Sequence, residues 1–206
     1  MQSKTKTIEI DDSGTGDLIG DAFIGFHVVE TGKIIFRGIP VGFYNEENHK
    51  NRKSFDYILE MVKDGLNALK FNNDYDKVQI CRGSCFDLVR KWFDEVGIKH
   101  EPAIVEGKLQ DAVEGRLVSH LQKLGVNSPK LTTEAGFQRY FVLFNWVVRD
   151  FPAREKYVKT GFPTWNKKWR KIAIRQYYNL KKKSSNGRKV LRKQIEDRAA
   201  EILEIS

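Results

Sequence analysis

Carboxylates carry the chemistry that this sequence can do. The run IEIDDSGTGDLIG, residues 8–20, ends an apolar alternation on two adjacent acids, Asp11 and Asp12, and follows them with glycines. Further on, Glu106 closes another apolar run, and Asp111 and Glu114 stand three apart in KLQDAVEG. Three residues is helical spacing, so Asp111 and Glu114 share one face. Acids gathered at a strand end are what a hard divalent cation needs. Mg2+ takes oxygen donors, usually one or two carboxylates, and completes its shell with water and phosphate oxygens. Two such ions clamp the attacking and leaving oxygens of a phosphodiester. Successive side chains of a strand point to opposite faces, so Asp11 and Asp12 face different sides of the sheet. Each acid also has a structural reading: Asp12 as the cap of a Ser/Gly turn, Asp111 and Glu114 as the solvated face of a helix.

Two further stretches bear on binding. In CRGSC, residues 81–85, Arg82, the Gly83 amide and the start of the next helix suit an anion, although the segment reads equally as a strand-to-helix turn. Near the C-terminus, Trp165 and Trp169 interleave with Lys167, Lys168, Arg170 and Lys171. Arg175, Tyr177 and Tyr178 follow, then Lys181, Lys182 and Lys183. Alternating aromatic rings and cations can stack bases while neutralising phosphates. The same pattern serves a helix that docks its rings and keeps its lysines in water.

The charge distribution points the same way. The formal net charge is +9, yet residues 149–206 hold 17 Lys and Arg against 6 Asp and Glu, and the body before them is slightly acidic. A basic segment behind a near-neutral body fits a polyanionic partner, nucleic acid first and an anionic membrane surface second. No apolar run reaches the ~18 residues of a membrane helix, and no basic-then-apolar leader opens the sequence. The expectation is a soluble, cytoplasmic protein without a membrane partner. Two cysteines, Cys81 and Cys85, are too few for a disulfide framework. With no other Cys or His pair at ligand spacing, a structural zinc site is not expected, and both thiols read as reduced and partly buried.

The elements that must position these residues follow from apolar periodicity. Strands are expected at 7–12, 22–30 and 33–43, joined by DSGTG and Thr31-Gly32 into an antiparallel meander. Apolar residues at 55, 58, 59, 62, 66 and 69 predict a helix over 54–69. A strand over 77–81 leads to a helix over 85–97, N-capped by Ser84 and closed by Gly97. A strand over 100–107 precedes a helix over 107–125. An aromatic helix over about 133–149, capped by Thr132 or Thr133, comes next. SSNG, residues 184–187, reads as a break before a last amphipathic helix, KVLRKQIEDRAAEIL. The fold class is therefore α/β: a mixed five-stranded sheet with helices packed on it and a helical, basic C-terminal extension. The expected division is a core over 1–126, an aromatic helical extension over 127–160 and a basic segment over 161–206.

This order, with an aspartate in the first strand and acids on a late helix, resembles the ribonuclease H-like fold over residues 7–125. IDDSGTGDLIG, residues 10–20, resembles the first-strand loop of type 2 ribonucleases H. The Asp111–Glu114 pair resembles the late-helix acids of Holliday-junction resolvases. The resemblance implies that Asp11 is the first-strand metal ligand and Asp12 its neighbouring acid. It implies Glu106 as the acid closing the last core strand, with Asp111 and Glu114 completing the set. It also implies Mg2+ or Mn2+ as cofactor. The chain departs from the family in two places. Cys81 stands where the fourth strand carries a carboxylate, and a thiol is a poor Mg2+ ligand. Thr15 stands where the type 2 enzymes carry arginine. Either Glu106 fills the position that Cys81 vacates, or the site is altered. Three functions follow as expectations: a metal-dependent nuclease acting on RNA, hybrid or branched DNA; a non-catalytic nucleic-acid-binding module; and a phosphate- or nucleotide-binding protein using DSGTG and CRGSC.

Overall fold

The computed structural model describes residues 5–134 and 136–204, with the side chains of 186, 187 and 190–204 outside that description. Five strands form one sheet: β1 (Thr7–Ser13), β2 (Ala22–Val28), β3 (Lys33–Ile39), β4 (Lys77–Cys81) and β5 (His100–Ala103). Their order is β3-β2-β1-β4-β5. β1, β2 and β3 pair antiparallel, whereas β4 pairs parallel to β1 and β5 parallel to β4. The sheet is thus mixed and open, as the periodicity predicts.

Helices alternate with the later strands. They are α1 (Glu46–Lys50), α2 (Lys53–Ala68), α3 (Asp87–Val96), α4 (Lys108–Lys123), α5 (Lys130–Thr133), α6 (Gly136–Arg149), α7 (Phe151–Arg154) and α8 (Arg170–Glu204). Every residue of β2 is buried, because helices cover both of its faces. On one face Ile8, Ile10, Ile24 and Phe26 pack with Ile58, Val62 and Leu66 of α2 and Val89 and Phe93 of α3. On the other face Phe23 packs with Val113, Leu117 and Leu121 of α4, and this second core continues through Leu143 and Val147 of α6 to Ala173 of α8. Two glycines let the layers approach. A Cβ on Gly25 would stand 2.8 Å from Leu109 of α4, and one on Gly65 only 2.3 Å from the Phe26 ring.

Several boundaries differ from expectation, each for a physical reason. The strand expected over 33–43 ends at Ile39, where Pro40 opens a 3-10 turn over Val41–Tyr44. The strand expected over 100–107 ends at Ala103, because β4, its only partner among the described residues, ends at Cys81. Ser84 lies inside a 3-10 turn over Ser84–Phe86 and caps nothing. Thr132 and Thr133 belong to α5 and cap no helix, since Glu134 is extended between α5 and α6. SSNG is no break: α8 runs through it, and the Ser185 hydroxyl donates back to the Lys181 carbonyl at 3.0 Å. That i−4 bond satisfies a serine within a helix. The amphipathic face expected over 189–203 lies outside the described residues. Among the described residues, no helix is long and apolar enough to cross a membrane.

Candidate metal centre

The register of β1 separates its two acids. Asp11 pairs with Gly25, whose missing Cβ faces Leu109 and Val113, so Asp11 points to the α4 side. Asp12 pairs with Ile24, which belongs to the core beneath α2 and α3, so Asp12 points to that side. Parallel pairing of β1 with β4 reaches Ile10 and Ile80. One step further along each strand stand Asp11 and Cys81. Their ligand atoms and one from Asp12 lie within 4.8 Å of one another. This is the point where the sheet's connections diverge, β1 leading to β2 on one side and β4 to β5 on the other. Clefts at such points, beyond the carboxyl ends of parallel strands, are where open α/β sheets bind ligands.

Asp11 is 7% exposed. Burial raises its pKa above the ordinary carboxylate value, and the nearby Asp12 and Glu114 charges add to the rise, while the Cys81 thiol and the Asp12 backbone oppose it. Burial likewise pushes the Cys81 thiol up to about 11, with Asp11 and Asp12 adding to the shift. Asp12 is held by two donors: the Thr15 hydroxyl at 2.6 Å and the Cys85 thiol at 3.2 Å. Burial, then Asp12, raise the Cys85 pKa strongly. Among the described residues, neither Asp11 nor Asp12 forms an ion pair with a basic side chain.

A different arrangement lies close by. Arg139 of α6 donates to Asp17 at 3.0 Å and to Glu114 at 2.7 Å. Burial works against the Arg139 charge, but the two carboxylates outweigh it and raise the guanidinium pKa. Lys159, fully buried, donates to the Gly14 carbonyl and sits 4.5 Å over the Tyr44 ring. Burial pushes its pKa down to about 8, against the pull of Asp17, Asp21 and Asp12.

The expected acids thus divide. Asp11 and Asp12 come together. Glu114 lines a cleft with Asp12, tied to Arg139. Glu106 and Asp111 are exposed, and neither joins the cluster. Cys81, a departure from the family pattern in the sequence, brings its sulfur within 4.8 Å of ligand oxygens from both aspartates and completes a group that could hold a metal ion. Asp17 lies in the 10–20 loop without a site signal of its own, and Arg139, Lys159 and Tyr44 carry no motif; only the fold brings these three to the site.

The basic segment connects to the same place. A cleft of about 560 Å³ is lined by Asp12, the 13–17 loop, Glu114, Arg139, Tyr140, Phe137 and Trp169. Its far wall, Trp169, ends the turn Trp165–Trp169 from which α8 continues. Lys167, Lys168, Arg170, Lys171, Arg175, Lys181, Lys182 and Lys183 are exposed. Arg170 is engaged by Glu155 at 2.5 Å. Trp165 is a correction: it is fully buried beside Phe144 and offers no face to a base. Arg82 is exposed and reaches only the Pro102 carbonyl, at 3.4 Å. No protein-family model matches this chain, and no curated protein matches it.

Proposed function

We propose that this chain is a divalent-metal-dependent nuclease built on a ribonuclease H-like core. The observation that carries the reading is a cleft that runs from Asp12, at the edge of the acidic cluster, to Trp169, at the start of the basic helix. The strand order and the first-strand position of Asp11 support the fold assignment.

Two carboxylates converging at a strand end suit a divalent ion such as Mg2+ or Mn2+. Bound there, the ion would supply a Lewis acid for the phosphodiester and a water of lowered pKa. The chain's own part is separate. Asp11 and Asp12 hold the ion, while Thr15 and Cys85 fix the Asp12 carboxylate through their hydrogen bonds. Exposed lysines of α8 hold phosphates along the strand, and Trp169 and Tyr140 wall the cleft in which a nucleotide would lie. Glu114, held by Arg139, adds its negative charge beside Asp11. The same reading places the protein in the cytoplasm, where both thiols stay reduced.

A second reading is favoured by a specific observation. Glu106 and Asp111 stand away from the cluster, and Cys81 replaces an acid, so a binding module that does not cut is the alternative. Labelled single-stranded, duplex, hybrid and branched nucleic acids, incubated with Mg2+ or Mn2+, separate the two. Metal-dependent cutting that vanishes in Asp11→Asn supports the nuclease. Binding without cutting, equal in both proteins, supports the module.

A further inference from the structure

We infer that Cys81 is itself a metal ligand, and that the Asp11–Asp12–Cys81 site takes a first-row divalent transition-metal ion, from Mn2+ to Zn2+, in preference to Mg2+. The inference rests on the metal site of the proposed function but not on cleavage.

Three observations carry it. The Cys81 sulfur lies within 4.8 Å of ligand oxygens from both aspartates, so one ion can reach all three. The site also has room. A Cβ built on Gly83 would stand 3.5 Å from Asp12 Oδ1, 3.5 Å from Cys85 Sγ and 3.8 Å from Cys81 Sγ. Glycine therefore leaves open the space that these three atoms share, which a side chain at position 83 would enter. Finally, the Tyr44 hydroxyl is buried without a hydrogen-bond partner among the described residues. Tyr44 lines a cavity of about 320 Å³ with Asp12, Gly83 and Cys85. Leaving a buried hydroxyl without a partner is costly, and a ligand oxygen would offset that cost.

Donor chemistry then decides the ion. Mg2+ demands oxygen ligands in near-ideal octahedral geometry. A thiolate instead favours softer ions, and affinity for a given mixed site rises from Mn2+ through Co2+ to Cu2+ before falling back at Zn2+. Binding ionises the Cys81 thiol and passes its proton to solvent. Cys85 has a different part: its thiol donates to Asp12 Oδ1 and orients that carboxylate.

Cobalt titration of the full chain tests this without reference to activity. Co2+ should give a near-ultraviolet sulfur-to-cobalt charge-transfer band that saturates at a single site and survives a large excess of Mg2+. Cys81→Ser should abolish the band and weaken Co2+ binding by at least about tenfold. Cys85→Ser should keep the band. Cys81→Asp, which restores an all-oxygen set, should bind Mg2+ more tightly than the parent and guards against a serine variant that fails to fold. Binding of Co2+ without the band, a band that persists in Cys81→Ser, or displacement by equimolar Mg2+ would each overturn the inference. A cobalt band without cleavage under any ion would remove the nuclease and leave this site standing. Cleavage with Mg2+ and no band would do the reverse.

Discussion

Two groups of acids lie within a few residues of each other on the first strand and its loop, and they are handled in opposite ways. Asp17, with Glu114 from α4, is neutralised by Arg139. Asp11 and Asp12 bring ligand atoms within 4.8 Å of each other and of a thiol, without a cation partner among the described residues. Burying like charges together is costly unless something compensates them. Arg139 is that compensation for the first group, built in and permanent. The second group has no such partner: burial first, and the Asp12 and Glu114 charges after it, raise the Asp11 pKa. The contrast teaches where an external cation could be held: the compensated acids are already paired within the fold, and the uncompensated acids are the candidate site.

Four measurements would sharpen or break this contrast. The largest effect is expected from Asp11→Asn, which should abolish metal-dependent cleavage. It should also raise the melting temperature of the metal-free protein, because a repulsive buried charge is gone; each kcal/mol relieved gives about 2–4 °C in a chain of this size. A fall in stability would mean that Asp11 is structural.

Arg139→Met should behave in the opposite sense. Removing one partner of a buried ion pair leaves the other charge stranded, so a loss of about 3–5 kcal/mol is expected in denaturant unfolding. A neutral outcome would erase the distinction between the two groups.

Lys159 gives a smaller, pH-dependent effect. Its folded pKa of about 8 lies below the ordinary 10.5, so between these values the unfolded chain holds more protons than the folded one. Stability from this group therefore rises with pH across that window, and its burden is fully present below pH 8. The stability of the parent relative to Lys159→Met should accordingly improve between pH 8 and pH 10. A difference that stays flat would place the lysine in a wetter setting.

The smallest effect concerns the basic helix. Lys181→Ala should weaken nucleic-acid binding for all sequences alike and make its logarithmic salt dependence shallower by about 0.7–0.9. An unchanged slope would remove Lys181 from the phosphate path.

Much of this was legible in the sequence, and the remainder was hidden for physical reasons. The strands, the helices and the mixed sheet followed from periodicity, because one face of each element is apolar. That Asp11 and Asp12 stand together at a strand end was legible, but which of the two acids faces α4 was not, since alternation alone does not say which side is which. That needed the register against β2 and the gap at Gly25. Cys81 read as a missing acid because its distance to Asp11 depends on how β4 pairs with β1, a relation between residues seventy apart. Periodicity carries the last strand on to Glu106, yet it ends three residues earlier at Ala103, since strand length depends on the partner as much as on the strand's own residues. Trp165 looked like a base-stacking ring beside lysines, but composition does not distinguish a ring turned inward from one turned out. Arg139 sits in an aromatic helix and meets Asp17 only through the packing of α6.

The central claim is that Asp11 and Asp12 await a divalent ion. Calorimetric titration of Mn2+ into the protein and into Asp11→Asn tests it most directly. The account predicts saturable binding at one site in the parent and its loss in the variant, with the variant still folded. No binding in the parent, or equal binding in both proteins, would contradict it and leave the acid pair without a function.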